Sequence, residues 1–347
     1  MKKWGSVLQV SFTYVGTVVG AGFATGQEIL QFFTRYGWMA TLTIGVASAL
    51  FVWLGIKLML LAGQLNAKSY EDLNKLLFGP KIGEWVSLFT MVILFGVTTV
   101  MLAGAGSVFA EQLKLPYQAG LLFTMALTYL LLIKGMKSIL AVNSLVVPMM
   151  ALFSVMAVIY AYPSPGSANW LLLDTGHSTL RIWLAPLLYA AFNLSMAQAV
   201  LVPLGTAIRD RSVLIRGGTL GGILIGLMLL AGHFALSAQM PDILRYDIPM
   251  GLLTQQMGGV LQLLFVFVIY SEIFTTFLAD IYGLSLQISQ RTGLAERTIV
   301  LLLLAASFVV SQIGFKALLA SLYPLFGLLS MAWMTLLIWR KAPAAEA

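Results

Sequence analysis

Gly16-Thr17-Val18-Val19-Gly20-Ala21-Gly22-Phe23-Ala24-Thr25-Gly26-Gln27-Glu28 lies inside the first long apolar segment of the chain. Four of the eleven residues from Gly16 to Gly26 are glycine, and each costs about 1 kcal/mol relative to alanine in a helix interior. In hydrocarbon a broken helix costs more, because the freed N–H and C=O groups meet no water. Such a break survives where the backbone lines a cavity or is buried in protein. The stretch is therefore read as a broken membrane helix and a candidate binding site, an arrangement expected of a transporter.

The rest of the chain fits that reading. Sixty per cent of its residues are apolar, 10% are charged, and mean hydropathy is +0.93, whereas a soluble domain is about half apolar and a quarter charged. The class is a polytopic all-α membrane protein with no separate soluble domain. There is no cysteine, which excludes disulfide and thiol chemistry. Met1-Lys2-Lys3 leads into a segment too long for a cleaved signal peptide, so it is read as a retained first span.

A span needs about 20 apolar residues. Ten segments qualify, at 5–33, 38–63, 82–112, 116–133, 139–162, 181–207, 213–238, 252–288, 296–313 and 317–339. The first, third, sixth and eighth exceed a bilayer's needs and must tilt, break or project. Residues 69–78 are too short to span. Leu73, Leu76 and Leu77 share one helical face there, which predicts an interfacial helix.

Basic residues orient the spans. With the N-terminus inside, five of the twenty Lys and Arg fall outside, namely Arg35, Lys114, Arg181, Arg245 and Lys316, and the other fifteen fall inside. Both termini are thus expected in the cytoplasm, with an even number of spans. The net charge of +7 is accounted for by this asymmetry and by anionic lipid, and implies no nucleic-acid partner.

The polar stretch Tyr162-Pro163-Ser164-Pro165-Gly166 divides the chain. Residues 1–162 are read as a first five-helix repeat, 163–178 as an external loop, and 179–347 as a second, inverted repeat. The sixth span should then mirror the first. It reads Tyr189-Ala190-Ala191-Phe192-Asn193-Leu194-Ser195-Met196-Ala197-Gln198-Ala199, with polar side chains that compete for backbone hydrogen bonds. Laying Tyr189 on Tyr14 sets Ser195-Met196-Ala197 beside Gly20-Ala21-Gly22.

At these residues the chain resembles the amino acid–polyamine–cation transporter superfamily with the LeuT-type five-plus-five fold. The run from Gly20 to Glu28 is similar to YkvI-like bacterial membrane proteins. The layout covers all ten spans, while the motifs sit on three. The resemblance implies that spans one and six are discontinuous at mid-membrane and hold the substrate. Gly20, Ala21 and Gly22 match the first break. Phe192, Asn193, Leu194 and Ser195 match the second, with Phe192 in the place of an aromatic gate. The implied substrate-binding set is Gly20, Ala21, Gly22, Phe23, Ala24, Thr25, Gly26, Phe192, Asn193, Ser195 and Gln198. The half-helix near Phe23 presents unpaired N–H groups that favour a carboxylate; the alternative is a Gly-x-Gly that only permits close helix packing.

The resemblance also implies an oxygen-only sodium site. Its ligands are the hydroxyls of Thr275 and Thr276 and the carbonyls of Glu272, Gly16 and Val19. A second sodium position lacks its polar side chain, since Phe23 stands there, so one cation is expected. Glu272 is a carboxylate at membrane depth, a costly placement usually tied to function. Three roles stay open for it: sodium ligand, proton carrier, or a salt bridge within the bundle to Lys316 or His233. Asp280 is a weaker candidate near the cytoplasmic end. Glu28 and Arg35, seven residues apart, are expected to pair as a gate or proton-coupling element. His233 is a lone histidine, either satisfied by neighbouring helices or part of a proton relay.

No His-Glu-x-x-His, Gly-x-Gly-Asp, Gly-x-Ser-x-Gly or phosphate-loop motif occurs, so neither an enzyme nor an ATP-driven pump is expected. The expected function is symport of a small amino acid or similar carboxylate-bearing solute, coupled to sodium or protons, by alternating access. It needs no resident cofactor and no oligomer, and is set in the bacterial cytoplasmic membrane. The alternative is a non-transporting solute sensor of the same fold, against which a complete cation site would argue.

Overall fold

Between Val18 and Gln27 the first span is broken twice. The computed structural model describes residues 2–67, 69–132, 137–255 and 258–339. In it α1 (Lys2–Val18) gives way to two short pieces, α2 (Ala21–Ala24) and α3 (Gln27–Phe32). At the first break Gly20 is extended, with φ −102° and ψ −165°. Its N–H turns to the Val18 carbonyl at 3.1 Å, so Gly16 loses the donor that a continuous helix would bring it. At the second break Gly26 has φ 84°, a left-handed conformation that glycine adopts at little cost.

The remaining helices are α4 (Met39–Leu65), α5 (Tyr70–Phe78), α6 (Pro80–Ser107), α7 (Tyr117–Leu132), α8 (Lys137–Ala161), α9 (Asn169–Leu172), α10 (Thr179–Ala207), α11 (Arg211–Ser237), α12 (Pro249–Gln255), α13 (Gly259–Thr292), α14 (Glu296–Ser311) and α15 (Phe315–Trp339). No strand occurs among the described residues. Among the described residues six helices, α4, α6, α10, α11, α13 and α15, are long and apolar enough to cross a membrane, and two shorter apolar stretches run over Tyr117–Leu132 and Pro148–Ala161. Lys68, Lys134, Arg340 and Lys341, four of the basic residues that orient the spans, lie outside the described residues, as does Ile133 at the end of the fourth expected segment.

One expectation needs correction here. The sixth span is one unbroken helix, α10. It carries no glycine before Gly205, and its polar side chains bond their own helix. Asn193 Nδ2 donates to the Tyr189 carbonyl (3.0 Å), Ser195 Oγ to Phe192 (2.8 Å) and Gln198 Nε2 to Ser195 (2.7 Å). Such back-bonding satisfies the polar groups without opening the helix. The eighth segment, expected to tilt, break or project, is divided: α12 precedes it, and α13 begins after Gly258, whose φ is 91°. The stretch expected as an interfacial helix forms a short helix, α5, capped by Ser69, which accepts from the Asp72 N–H at 3.1 Å. Its buried face holds Leu73 and Leu77, while Leu76 is 54% exposed.

The helices pack in two groups. α1, α4, α10 and α11 form one, and α6, α7, α13 and α14 the other; α8 leans on α11 and α13, and α15 on α10 and α6. Glycines let the first group close up. A Cβ on Gly205 of α10 would lie 2.8 Å from the Met59 carbonyl carbon of α4, and one on Gly222 of α11 would lie 2.7 Å from the Val52 nitrogen. Such contacts are the usual basis of tight helix crossings in membranes.

Tyr14 and Tyr189, the two register-matched tyrosines, are both fully buried but differ in partners. Tyr14 donates to the Phe51 carbonyl at 2.7 Å and ties α1 to α4, whereas the Tyr189 hydroxyl has no hydrogen-bond partner. Tyr14→Phe is therefore expected to cost about 1 kcal/mol, seen as a lower Tm in detergent. Tyr189→Phe should leave Tm unchanged or raise it. Equal losses in both variants would contradict this difference.

Candidate functional site

The first break meets the eighth span, because α2 packs on α13. A Cβ on Gly20 would stand 3.7 Å from the Thr276 hydroxyl. Thr275 Oγ1 donates to the Glu272 carbonyl at 3.2 Å, one turn earlier. Val19 is buried at the break itself. The structure thus brings Gly20 to Thr276, with Glu272 and Thr275 on the adjoining turn of α13. No group of three or more His, Cys, Asp or Glu gathers among the described residues. The oxygens here are carbonyls and hydroxyls beside one carboxylate, a donor set suited to a hard cation.

The Glu272 side chain is 4% exposed and its Oε1 has no partner. Among the described residues no ion pair joins it to Lys316 or His233. Lys316 Nζ donates to the Leu244 carbonyl, and His233 Nδ1 shares a hydrogen bond of 3.1 Å with Thr34 Oγ1. Asp280, two turns along α13, also keeps a buried oxygen, Oδ2, without a partner.

The second break is pinned from outside. Thr25 Oγ1 donates to the Gly22 carbonyl (3.0 Å), and the Thr25 carbonyl accepts from the Met250 N–H (2.9 Å). Gln27 Nε2 donates to the Tyr246 carbonyl (2.7 Å). The same connection is gripped from α6: Glu111 accepts from the N–H groups of Asp247 and Ile248, both at 3.0 Å, and Ser107 Oγ donates to Asp247 Oδ2 at 3.2 Å. Glu111 ends a π-helical turn, Val108–Gln112, that extends α6. Only its position at the end of the third apolar segment marks it in the sequence.

Glu28 is 4% exposed. Its carboxyl folds over Gly22, where a Cβ would lie 2.7 Å from the carboxyl carbon. The Tyr189 hydroxyl lies beside it without closing a well-formed hydrogen bond, and Tyr323 of α15 is within electrostatic reach of both Glu28 and Asp280. Glu28 and Arg35 do not pair. The chain leaves the α-helix after Phe32 and tightens into a 3-10 turn, Thr34–Tyr36, which turns Arg35 outward. Arg35 Nη1 donates to Gln31 Oε1 at 3.0 Å, and its guanidinium sits 5.8 Å from the Tyr36 ring centroid.

Arg35 instead lines a cavity of about 390 Å³ with Gln27, Gln31, His177 and Lys316. His177, in the connection before α10, has its pKa lowered by partial burial and by the nearby charges of Arg35 and Arg181. The folded protein therefore favours the neutral imidazole. Any stability it adds is present above its ordinary value and is lost as pH falls from there through the lowered folded value.

The sixth-span residues engage α15 rather than α2. The Phe192 ring lies 4.6 Å from that of Tyr323 and 6.2 Å from that of Phe326. Ser195 and Ser330 share a hydrogen bond of 2.7 Å. Gln198 Oε1 is buried without a partner, and Asn193 is spent on its own helix. Phe23 and Ala24 line a small apolar cavity of about 20 Å³ with Met150, Phe153 and Phe265. Ala21, Gly22 and Thr25 are buried around the breaks. Tyr189, which the sequence uses only to set the register of the sixth segment, and Tyr323 are residues at the site to which the sequence assigns no role. Tyr323-Pro324, a polar ring beside proline inside an apolar segment, is the one signal it offers.

Comparison with known proteins gives the family and the fold. The chain is 38% identical to the membrane protein YkvI of Bacillus subtilis (strain 168) over 349 residues, covering 98% of this chain and 97% of that one. It is 25% identical to YyaD of the same organism over 335 residues, covering 96% and 97%. No family model matches. An inward-facing conformation of Mhp1 aligns with a TM-score of 0.66 and 12% identity, over 95% of this chain and 74% of that chain. The likeness to Mhp1 is one of fold.

Proposed function

This chain belongs to the YkvI family of membrane proteins and shares the LeuT-type fold, and from that premise we propose that it is a cation-coupled secondary active symporter. Its cargo is a small amino acid or a similar carboxylate-bearing solute. The observation that carries the reading is the twice-broken first span laid against the hydroxyls of α13, with Gly20 beside Thr276. Substrate binds at that break. The coupling cation is held by Thr275, Thr276 and the carbonyls of Glu272, Gly16 and Val19.

Ten spans in two inverted halves, 1–162 and 179–347 joined by a loop at 163–178, suit this cycle. Both termini face the cytoplasm. The packing supports the division. α1 on α11 is matched by α10 on α4, α6 on α15 by α13 on α8, and α6 on α7 by α13 on α14. Alternating access is the rocking of one helix group against the other about the fixed site. Likeness to an inward-facing conformation of another protein accords with such a cycle. The charges of Arg35 and Lys316 at the outer cavity favour approach of an anionic group.

One observation favours a second reading. α10 is continuous, so only one of the two helices is opened toward cargo, which suits a protein of this fold that binds solute without carrying it. Counterflow of tritiated amino acids in proteoliposomes separates the two; a sensor shows none.

Thermal unfolding against single amino acids, with and without sodium, tests the site itself. A bound solute should add about 2.7 kcal/mol at a hundredfold excess over its Kd. In Thr276→Ala the sodium-dependent part of that shift should vanish. A shift equally dependent on sodium in this variant rejects the assigned cation site.

A further inference from the structure

We propose that Glu28 is a proton-binding site, whose carboxyl is protonated in this conformation and gives up and regains its proton as the site changes facing. The inference rests on the transport reading above and names the proton as a coupling ion at a second place, distinct from the oxygens around Thr276.

The case begins with surroundings. Glu28 is buried at 4% exposure and its Oε2 has no hydrogen-bond partner. A bare carboxylate in such a place is costly, and the usual escape is to bind a proton or pair with a cation. No cation is at hand. Arg35, on the same segment, is bonded to Gln31 and faces the outer cavity. From α11 comes His233, bonded to Thr34. From α10 and α15 come two phenols, Tyr189 and Tyr323, and behind Tyr323 stands another acid, Asp280 of α13. No ion pair to Glu28 forms among the described residues, and the two phenols and the second acid bring it no positive charge.

The setting also suits exchange. A protonated carboxyl can donate to a phenol oxygen, and a carboxylate can accept from a phenol O–H. The unpartnered Tyr189 hydroxyl beside Glu28 can serve both states. Gly22 supplies the room, since the carboxyl occupies the space a side chain would take. The residues next to Glu28 on α3, Gln27 and Leu30 and Gln31, line the outer cavity, so a modest turn of this short helix carries the carboxyl to that space. The step is a simple dissociation: the carboxyl O–H breaks, the electron pair stays on oxygen, and the proton passes to water.

Two measurements on the full chain in proteoliposomes test the proposal. Dicyclohexylcarbodiimide couples to protonated carboxyls in apolar surroundings; peptide mapping by mass spectrometry should find its adduct on Glu28 of the wild type at neutral pH. A Glu28-containing peptide recovered without adduct overturns the proposal. In the second, external proteinogenic amino acids should acidify the lumen, read by trapped pyranine. Glu28→Gln should abolish the acidification and keep counterflow of the tritiated amino acids. Acidification of wild-type size in Glu28→Gln overturns it. If Glu28→Gln does not fold, Glu28→Asp takes its place, with a shifted pH profile of acidification expected and an unchanged profile counting against. Absence of any amino acid movement in the wild type defeats the transport reading alone, because the carbodiimide measurement still decides whether Glu28 carries a proton.

Discussion

Gly22→Ala should abolish solute accumulation while the protein still inserts and purifies as a single species. The added methyl falls 2.7 Å from both the carboxyl carbon and Cγ of Glu28, closer than non-bonded carbons approach. Glu28 is a flexible side chain, so the clash is relieved by moving its carboxyl rather than by unfolding α2. The movement takes the acid from its place beside Tyr189 and opposite Tyr323. The expected effect is at least a tenfold loss of initial uptake, about 1.4 kcal/mol of barrier, with little change in Tm. Gly45→Ala is the control. A Cβ there meets nothing within 4 Å, and removing a helical glycine should stabilise by up to about 1 kcal/mol. Wild-type uptake by Gly22→Ala would show that Glu28 does not need this notch.

Glu272→Gln should uncouple transport rather than stop it. The substitution keeps size and shape, and the main-chain carbonyl that accepts from Thr275 is untouched. What changes is the capacity of a buried side chain, whose Oε1 has no partner and which forms no ion pair with Lys316 or His233, to carry a negative charge or a proton. Gradient-driven accumulation is expected to collapse to simple equilibration, while counterflow continues near the wild-type rate. Accumulation that survives in Glu272→Gln removes this carboxylate from the coupling step and leaves the cation to the carbonyls and hydroxyls alone.

Much of the first span is legible in the sequence because glycine there answers backbone demands. Gly26 takes a positive φ, Gly20 is extended beside α13, and Gly22 makes room for a side chain. Four glycines crowded into one apolar run sit poorly in a continuous helix, and the chain breaks where they cluster. α5 is legible from a short amphipathic run, although the tilt that exposes Leu76 is not. The continuity of α10 is hidden, because Asn193 and Ser195 read the same whether they open a helix or bond back to it. Their geometry decides that, and composition does not. Arg35 falls elsewhere than a helical count puts it, because the count assumes a uniform rotation per residue and the 3-10 turn at Thr34 breaks it. The meeting of Tyr189 and Tyr323 with Glu28 is hidden for a different reason. Their importance comes from meeting Glu28 across 161 and 295 positions of chain, and one sequence carries no record of such meetings.

The connection between α11 and α13 is held by both sides of the molecule at once. Thr25 and Gln27 grip it from the broken span, and Glu111 grips it from the end of α6. These are four hydrogen bonds, each worth about 1 kcal/mol, and they share one short stretch of backbone. Separation of the two sides there cannot proceed by degrees, because strain on one bond is passed to the other three through the same peptides. Traffic at this face should accordingly show dwell times, long closed intervals ended by abrupt release, like a clasp and unlike a spring.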